Sequence, residues 1–387
     1  MRADHLTGVR GLGVEPFVVE VSDEVLDDLS VRLSRLRLPA RSPVADWSDG
    51  TPEGFLVELL RYWRDDFDWP SQIARINQLA HYRCQIMGQG IHFVHARSAN
   101  DGALPLLVTH GWPGSVWEFN RIIPMLTDPE AYGGSARDAF HVICPSLPGY
   151  GWSDVPSEPG CTPRVIASYE AALMSRLGYT RYGVQGGDWG SRISAFVALD
   201  DVAHVVGLHL NTPQFIQPPP DYDGTGLSEA DLATLNARRR ISAEGSGYRD
   251  QQSTRPQTLA YGLSDSPAGL AAWITEKFQA WSDGGIDASI GRDDLLTNIM
   301  IYWCTNTIGS SIRLYKENAR QPWTEKILVP AGCAIFPHEV FPPTRGWIER
   351  FLDIQRWTVM PRGGHFAALE QPELLVGDIR AFFRLLR

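Results

Sequence analysis

The sequence contains no Cys-x-x-Cys pair, and its five cysteines (Cys84, Cys144, Cys161, Cys304, Cys333) are odd in number and scattered. Neither a zinc site nor a disulfide framework is expected from that pattern, whereas reduced thiols in a cytoplasm fit it. Clustered positive charge is equally scarce: net charge is −10, and the single basic run is Arg238-Arg239-Arg240. A nucleic acid partner is therefore not expected, because neutralising phosphates takes a basic surface. No stretch of about 18 apolar residues is present, and the opening MRADHLTGVRGLGVEPF has no apolar signal-type segment. A soluble, unexported, cytoplasmic protein with no membrane contact is expected. Internal repeats and low-complexity tracts are also missing. What is there is 387 residues, 43% hydrophobic with 13 Trp, enough for one large α/β domain with insertions or two modest domains.

In chain order, residues 22–38 read as an amphipathic helix with Ser22 as cap, Val25, Leu26, Leu29, Leu33 and Leu36 in one stripe, and Pro39 as its stop. Thr51-Pro52-Glu53 opens a second helix (Leu56, Leu59, Leu60, Trp63), and Ser71 opens a third (Ile73, Ile76, Leu79). Residues 85–94 look like a hairpin turning at Gly88-Gln89-Gly90. The first 80 or so residues thus form a helical arm. For His81, His92 and His95 near its end, hydrogen-bonded or exposed histidines are favoured over metal ligands.

Strand and helix patterns then alternate. Strands are expected at 104–109, 140–144, 181–185 and 205–210, with helices around Trp117 to Leu126 and at 163–177. This implies a mostly parallel central sheet flanked by helices with right-handed crossovers. From Pro218 to about Pro322 the pattern breaks into helical, Trp-rich sequence, read as an inserted lid. Strands resume at 327–330 and around 356–360, with a helix at 345–352 and a closing helix at 372–386. The expected division is 1–100 arm and first hairpin, 101–212 first part of the core, 213–321 helical lid, and 322–387 second part of the core.

One stretch organises the rest. Tyr182-Gly183-Val184-Gln185-Gly186-Gly187-Asp188-Trp189-Gly190-Ser191 runs from a strand end through Gly-x-Asp-x-Gly into a helix. That is the shape of a nucleophile elbow, with Asp188 where Ser usually stands. A serine attacking saturated carbon would form an ether, which water does not readily reverse. A carboxylate forms an ester, whose carbonyl water can attack in a second step. Taken alone, an Asp in a glycine-rich turn is more often a helix cap; partners elsewhere in the chain alter that balance. In this architecture the base comes last, and Gly363-Gly364-His365-Phe366 occupies that place, 177 positions after Asp188. Asn211 ends its strand but cannot orient an imidazole as a carboxylate does. Glu339, in Phe336-Pro337-His338-Glu339, can, with Asp353 as runner-up in a presumed helix. Trp112, Trp117, Trp152 and Trp189 suit an aromatic-walled pocket or the core equally well.

The motifs HGWPGSVWEF (110–119), GGDWG (186–190), SPAGLAAWITEKF (266–278), RLYKEN (313–318), FPHE (336–339) and GGHFAALEQPELL (363–375) together resemble the microsomal-type epoxide hydrolases of the α/β-hydrolase superfamily. The resemblance spans nearly the whole chain, arm included. It implies Asp188 as nucleophile, His365 as base, Glu339 as the acid orienting it, and Tyr315 and Tyr248 as the lid pair that binds the epoxide oxygen. The oxyanion would lie between the backbone N–H groups of Trp112 and Trp189. No metal or organic cofactor is implied. The partners are a small-molecule epoxide and water, and a homodimer is compatible with the reading. Mammalian members carry an N-terminal membrane anchor and this sequence shows none, so it resembles the soluble bacterial branch. An aryl epoxide of the styrene-oxide type, in detoxification or antibiotic biosynthesis, is the substrate class considered. Alternatives are a haloalkane dehalogenase using Trp189 and Asn211 as halide donors, or a non-catalytic ligand binder; an esterase is disfavoured by Asp at the elbow.

Overall fold

The computed structural model describes residues 13–318 and 323–387. Among them, nine strands are β1 (Val14–Phe17), β2 (His81–Ile86), β3 (Gln89–Ala96), β4 (Leu104–Thr109), β5 (Phe140–Pro145), β6 (Tyr182–Gly186), β7 (Val205–Leu210), β8 (Ile327–Ile335) and β9 (Leu352–Val359). They make one sheet in the order β1-β2-β3-β5-β4-β6-β7-β8-β9. β1, β2, β3 and β5 pair antiparallel, whereas β5, β4, β6, β7, β8 and β9 run parallel. This is the α/β-hydrolase arrangement, a mostly parallel sheet with helices on both faces. Its central strands are apolar because both faces are covered: all six residues of β5 are buried.

Several local expectations need adjustment. The hairpin pairs from His81 and turns at Met87-Gly88, so Gln89 and Gly90 already belong to β3. The third arm helix is Trp69–Ile76, capped by Asp68, whose carboxylate accepts the Ser71 N–H; Ser71 lies inside the helix rather than at its start. The helix expected over 345–352 ends at Ile348. Asp353 is an exposed residue of β9, bonded to Gln355.

Between β7 and β8 helices run from Glu229–Gly245 to Ile308–Glu317; the expected end of this insertion near Pro322 lies outside the described residues. Its inner faces are apolar. Ile274, Phe278, Leu295, Leu296 and Ile299 are almost wholly buried, each stabilising the assembly by roughly 2 kcal/mol. The arm clasps the insertion: Trp63 Nε1 donates to Met300 Sδ at 3.2 Å, Tyr62 OH to Asp293 at 2.6 Å, and Thr51 Oγ1 to the Ala272 carbonyl at 2.8 Å. One apolar cluster consequently runs from the arm across a sheet face into the insertion.

The arm histidines are bonded inside the fold. His81 and His92 share a 3.0 Å hydrogen bond, His92 reaches Ser146 Oγ at 2.9 Å, and His95 meets Tyr179 OH at 2.8 Å. Among the described residues no cluster of three metal-ligating side chains occurs, and no helix is long and apolar enough to cross a membrane.

Candidate active site

Asp188 sits at the junction of β6 and the helix Trp189–Asp200 with φ 50° and ψ −126°. A non-glycine residue there is strained by about 1–3 kcal/mol, and such strain persists only when the surroundings over-determine it. They do so through close packing of two glycines. An added Cβ on Gly186 would lie 2.2 Å from the Gly190 carbonyl oxygen, and one on Gly190 would lie 1.9 Å from that of Thr109. The Asp188 N–H is fixed on Thr212 Oγ1 at 2.7 Å. Its carboxylate Oδ1 accepts the Trp112 N–H at 2.8 Å, which leaves Oδ2 toward His365.

Trp112 lies in the turn after β4, whose Trp112-Pro113 peptide bond is cis. The turn is pinned from the insertion helix Arg292–Thr305: Asn298 Nδ2 donates to the Pro113 carbonyl and Tyr302 OH to that of Gly114, each at 2.7 Å.

His365 is buried, with Nε2 3.4 Å from Asp188 Oδ2 and Nδ1 2.7 Å from Glu339 Oε1. Burial alone would lower the imidazole pKa. The Glu339 charge, followed by the hydrogen bonds and charge of Asp188, outweighs it and holds the group well above its ordinary value. Glu339 stands just beyond β8, its Oε1 also accepting the Val340 N–H at 2.8 Å.

Over the carboxylate stands an aromatic wall. Tyr248 stacks on Trp112 with centroids 5.7 Å apart, Tyr315 meets Trp112 edge-on at 5.7 Å, and the two tyrosine rings lie 5.9 Å apart. Burial, with Asp188 nearby, pushes both phenols above their usual value, so they remain proton donors. Of the four tryptophans singled out from sequence, Trp112 and Trp189 join this wall. Trp117 packs beneath Arg75, and Trp152 packs on His81 and His92, so both are framework residues. Asn211 Oδ1 accepts Gln185 Nε2 at 2.8 Å and its Nδ2 donates to Thr212 Oγ1 at 3.4 Å, so the amide is held within the framework behind the elbow.

Sequence reasoning missed residues that act through the main chain. Trp281 ends the insertion helix Pro267–Trp281; its carbonyl accepts the His365 N–H at 2.9 Å and its indole lies 5.0 Å from the imidazole. Glu370 accepts the N–H groups of Gly364, Phe366 and Asp283 at 2.8–2.9 Å, and Asp283 Oδ2 accepts that of Gly363 at 2.8 Å. The only signal for these was their place inside matched motifs or beside them.

Comparison with known proteins shows the family. The family described as "Epoxide hydrolase N terminus" matches residues 14–119, and "alpha/beta hydrolase fold" matches 105–233. A Stigmatella aurantiaca protein bearing an epoxide hydrolase name is 46% identical over 379 residues, covering 97% of this chain and 86% of the relative. The chain belongs to the epoxide hydrolase family. Epoxide hydrolase 1 of Sus scrofa is 40% identical over 406 residues, covering 96% and 89% of the two chains. Among solved structures, juvenile hormone epoxide hydrolase from the silkworm Bombyx mori superposes with TM-score 0.87 at 31% identity, covering 97% of this chain and 95% of that one.

Proposed function

We propose that this epoxide hydrolase acts in two steps through an ester on Asp188. Oδ2 attacks one epoxide carbon, the C–O ring bond breaks, and the ring oxygen leaves hydrogen-bonded to Tyr248 and Tyr315. Water then attacks Asp188 Cγ, giving its proton to His365 Nε2 while Glu339 holds Nδ1–H. The ester's Cγ–O(alkyl) bond breaks, and the oxyanion at Oδ1 is met by the N–H groups of Trp112 and Trp189. The single observation that carries this reading is the pair of contacts on Asp188, with Oδ1 held by Trp112 N–H and Oδ2 facing His365.

The proton balance follows from the same contacts. Two carboxylates hold a proton on His365 in the free enzyme. Ester formation removes the Asp188 charge, so the imidazolium releases its proton to solvent and can act as a base, while the alkoxide takes its proton from the tyrosine pair, which recovers one from solvent. The attacking water gives one proton to His365, restoring the imidazolium, and its second proton passes to the departing alkyl oxygen as the Cγ–O(alkyl) bond breaks. The sum is epoxide plus water to vicinal diol, with no net proton change.

The aromatic wall of Trp112, Trp189, Trp281, Tyr248 and Tyr315 supports an aryl epoxide of the styrene-oxide type as substrate. A panel of styrene oxide, cyclohexene oxide and a long-chain alkyl epoxide tests that class; a preference for the alkyl chain would remove it. For the mechanism, excess enzyme reacting once in ¹⁸O-water should give unlabelled diol and leave label in Asp188. His365→Gln should accumulate one substrate mass on the Asp188 peptide. Labelled diol on the first turnover, with no adduct, would refute the ester.

A further inference from the structure

Glu118 is a carboxyl beside the reacting groups for which the two-step mechanism has no use. Its place is set by the turn that holds Asp188. A Cβ on Gly111 would lie 2.1 Å from Asp188 Oδ1, and one on Gly114 would lie 2.4 Å from Glu118 Oε2. Two carboxyls thus press on glycines three residues apart, and a side chain at either position would displace them. Glu118 itself stands on the 3-10 turn Val116–Phe119, against which the short helix Ala367–Glu370, next after His365, is packed. The charges it feels are, in order, those of His365, Asp188, Glu370 and Glu339.

Burial pushes this carboxyl up to about 8; the positive His365 opposes the rise and the three carboxylates add to it. At neutral pH it is a neutral acid. The residue nonetheless keeps some accessible surface, and its carboxyl makes no hydrogen bond to another described residue. Carboxyl oxygens that no protein group binds, set beside the reacting groups, take water as their partner.

We propose that Glu118 holds the hydrolytic water. Its carbonyl oxygen accepts one hydrogen of that water, the other is aimed at His365 Nε2, and a lone pair is left pointing at Asp188 Cγ. The inference rests on the two-step reading. It gives Glu118 a task in the second step alone, because no water reacts in the first.

Three variants separate reach from chemistry. Glu118→Leu keeps the bulk and loses the acceptor; Glu118→Asp keeps the carboxyl and withdraws it by one methylene; Glu118→Gln keeps a neutral carbonyl at full reach. In single turnovers followed by mass on the Asp188 peptide, Leu and Asp should form the ester within about threefold of the wild-type rate and hydrolyse it about 100-fold more slowly. Gln should recover the greater part of that loss. Wild-type hydrolysis in Leu and Asp, a Gln variant as slow as Leu, or equal loss in both steps would each overturn the assignment. Should Glu118→Leu not fold, the Asp and Gln pair still decides. If the wild-type enzyme forms no ester, the two-step reading fails instead, and Glu118 falls with it.

Discussion

The ring of Tyr315 meets the indole of Trp189 at 88° with centroids 4.8 Å apart, so the phenol is braced by the residue that follows Asp188. A ring so held orders its hydroxyl at little entropic cost. Tyr315→Phe and Tyr248→Phe should each slow ester formation by about 30- to 1000-fold, the value of one hydrogen bond to developing charge, with the fold unchanged by circular dichroism. Undiminished alkylation in Tyr315→Phe would remove that hydroxyl from the reaction.

Glu339→Gln should leave alkylation near normal and slow ester hydrolysis by roughly 100-fold or more, because the imidazole is required as a base only in the second step. Asp353→Asn is the control, since Asp353 lies exposed on β9. Rapid-quench measurement of both steps decides, and damage from Asp353→Asn with none from Glu339→Gln would reverse the assignment.

The elbow stores strain that a second pair of variants can read. At φ 50° and ψ −126°, glycine is more comfortable than any residue with a Cβ. Both Asp188→Gly and Asp188→Ala lose the carboxylate contacts, so their difference isolates the backbone. The Gly variant should be more stable in denaturant unfolding by about 1 kcal/mol, and an Ala variant as stable as Gly would show that the turn carries no strain.

Glu170 makes folding pH-dependent. It is buried, with Oε2 accepting Thr109 Oγ1 at 2.9 Å and Oε1 left without a partner, and burial raises its pKa from 4.5 to about 8. The folded state therefore binds more protons than the unfolded one between those two values, and stability falls as pH rises through that window. Wild type should lose stability relative to Glu170→Gln from pH 5 to pH 8, and the difference should level off above. Urea midpoints of the two proteins that run parallel across the range would contradict this.

How much was legible in the sequence depended on whether a residue acts through its side chain at a point of chain punctuation. Asp188, His365 and Glu339 each lie in a turn just past a strand, where glycine and proline announce them. Tyr315 and Tyr248 are unremarkable helix residues, and only the resemblance singled them out. β1 was missed because four residues containing Pro16 pair with a strand more than 60 positions later, which no local period reveals. Glu370 and Asp283 were missed because they grip backbone N–H groups, which every sequence has. Trp152 and Trp117 were indistinguishable from Trp112 and Trp189 because aromatic content says nothing about which side of a strand end a ring faces.

The seam where Trp281 and Asp283 join the His365 loop has a consequence for turnover. Three hydrogen bonds cross it, from His365 N–H to the Trp281 carbonyl, from Asp283 N–H to Glu370, and from Gly363 N–H to Asp283. Any motion that lifts this end of the insertion to admit an epoxide or release a diol also pulls on the loop that carries the imidazole. The placing of the His365 imidazole is therefore tied to the seating of this end of the insertion, and not to the sheet alone.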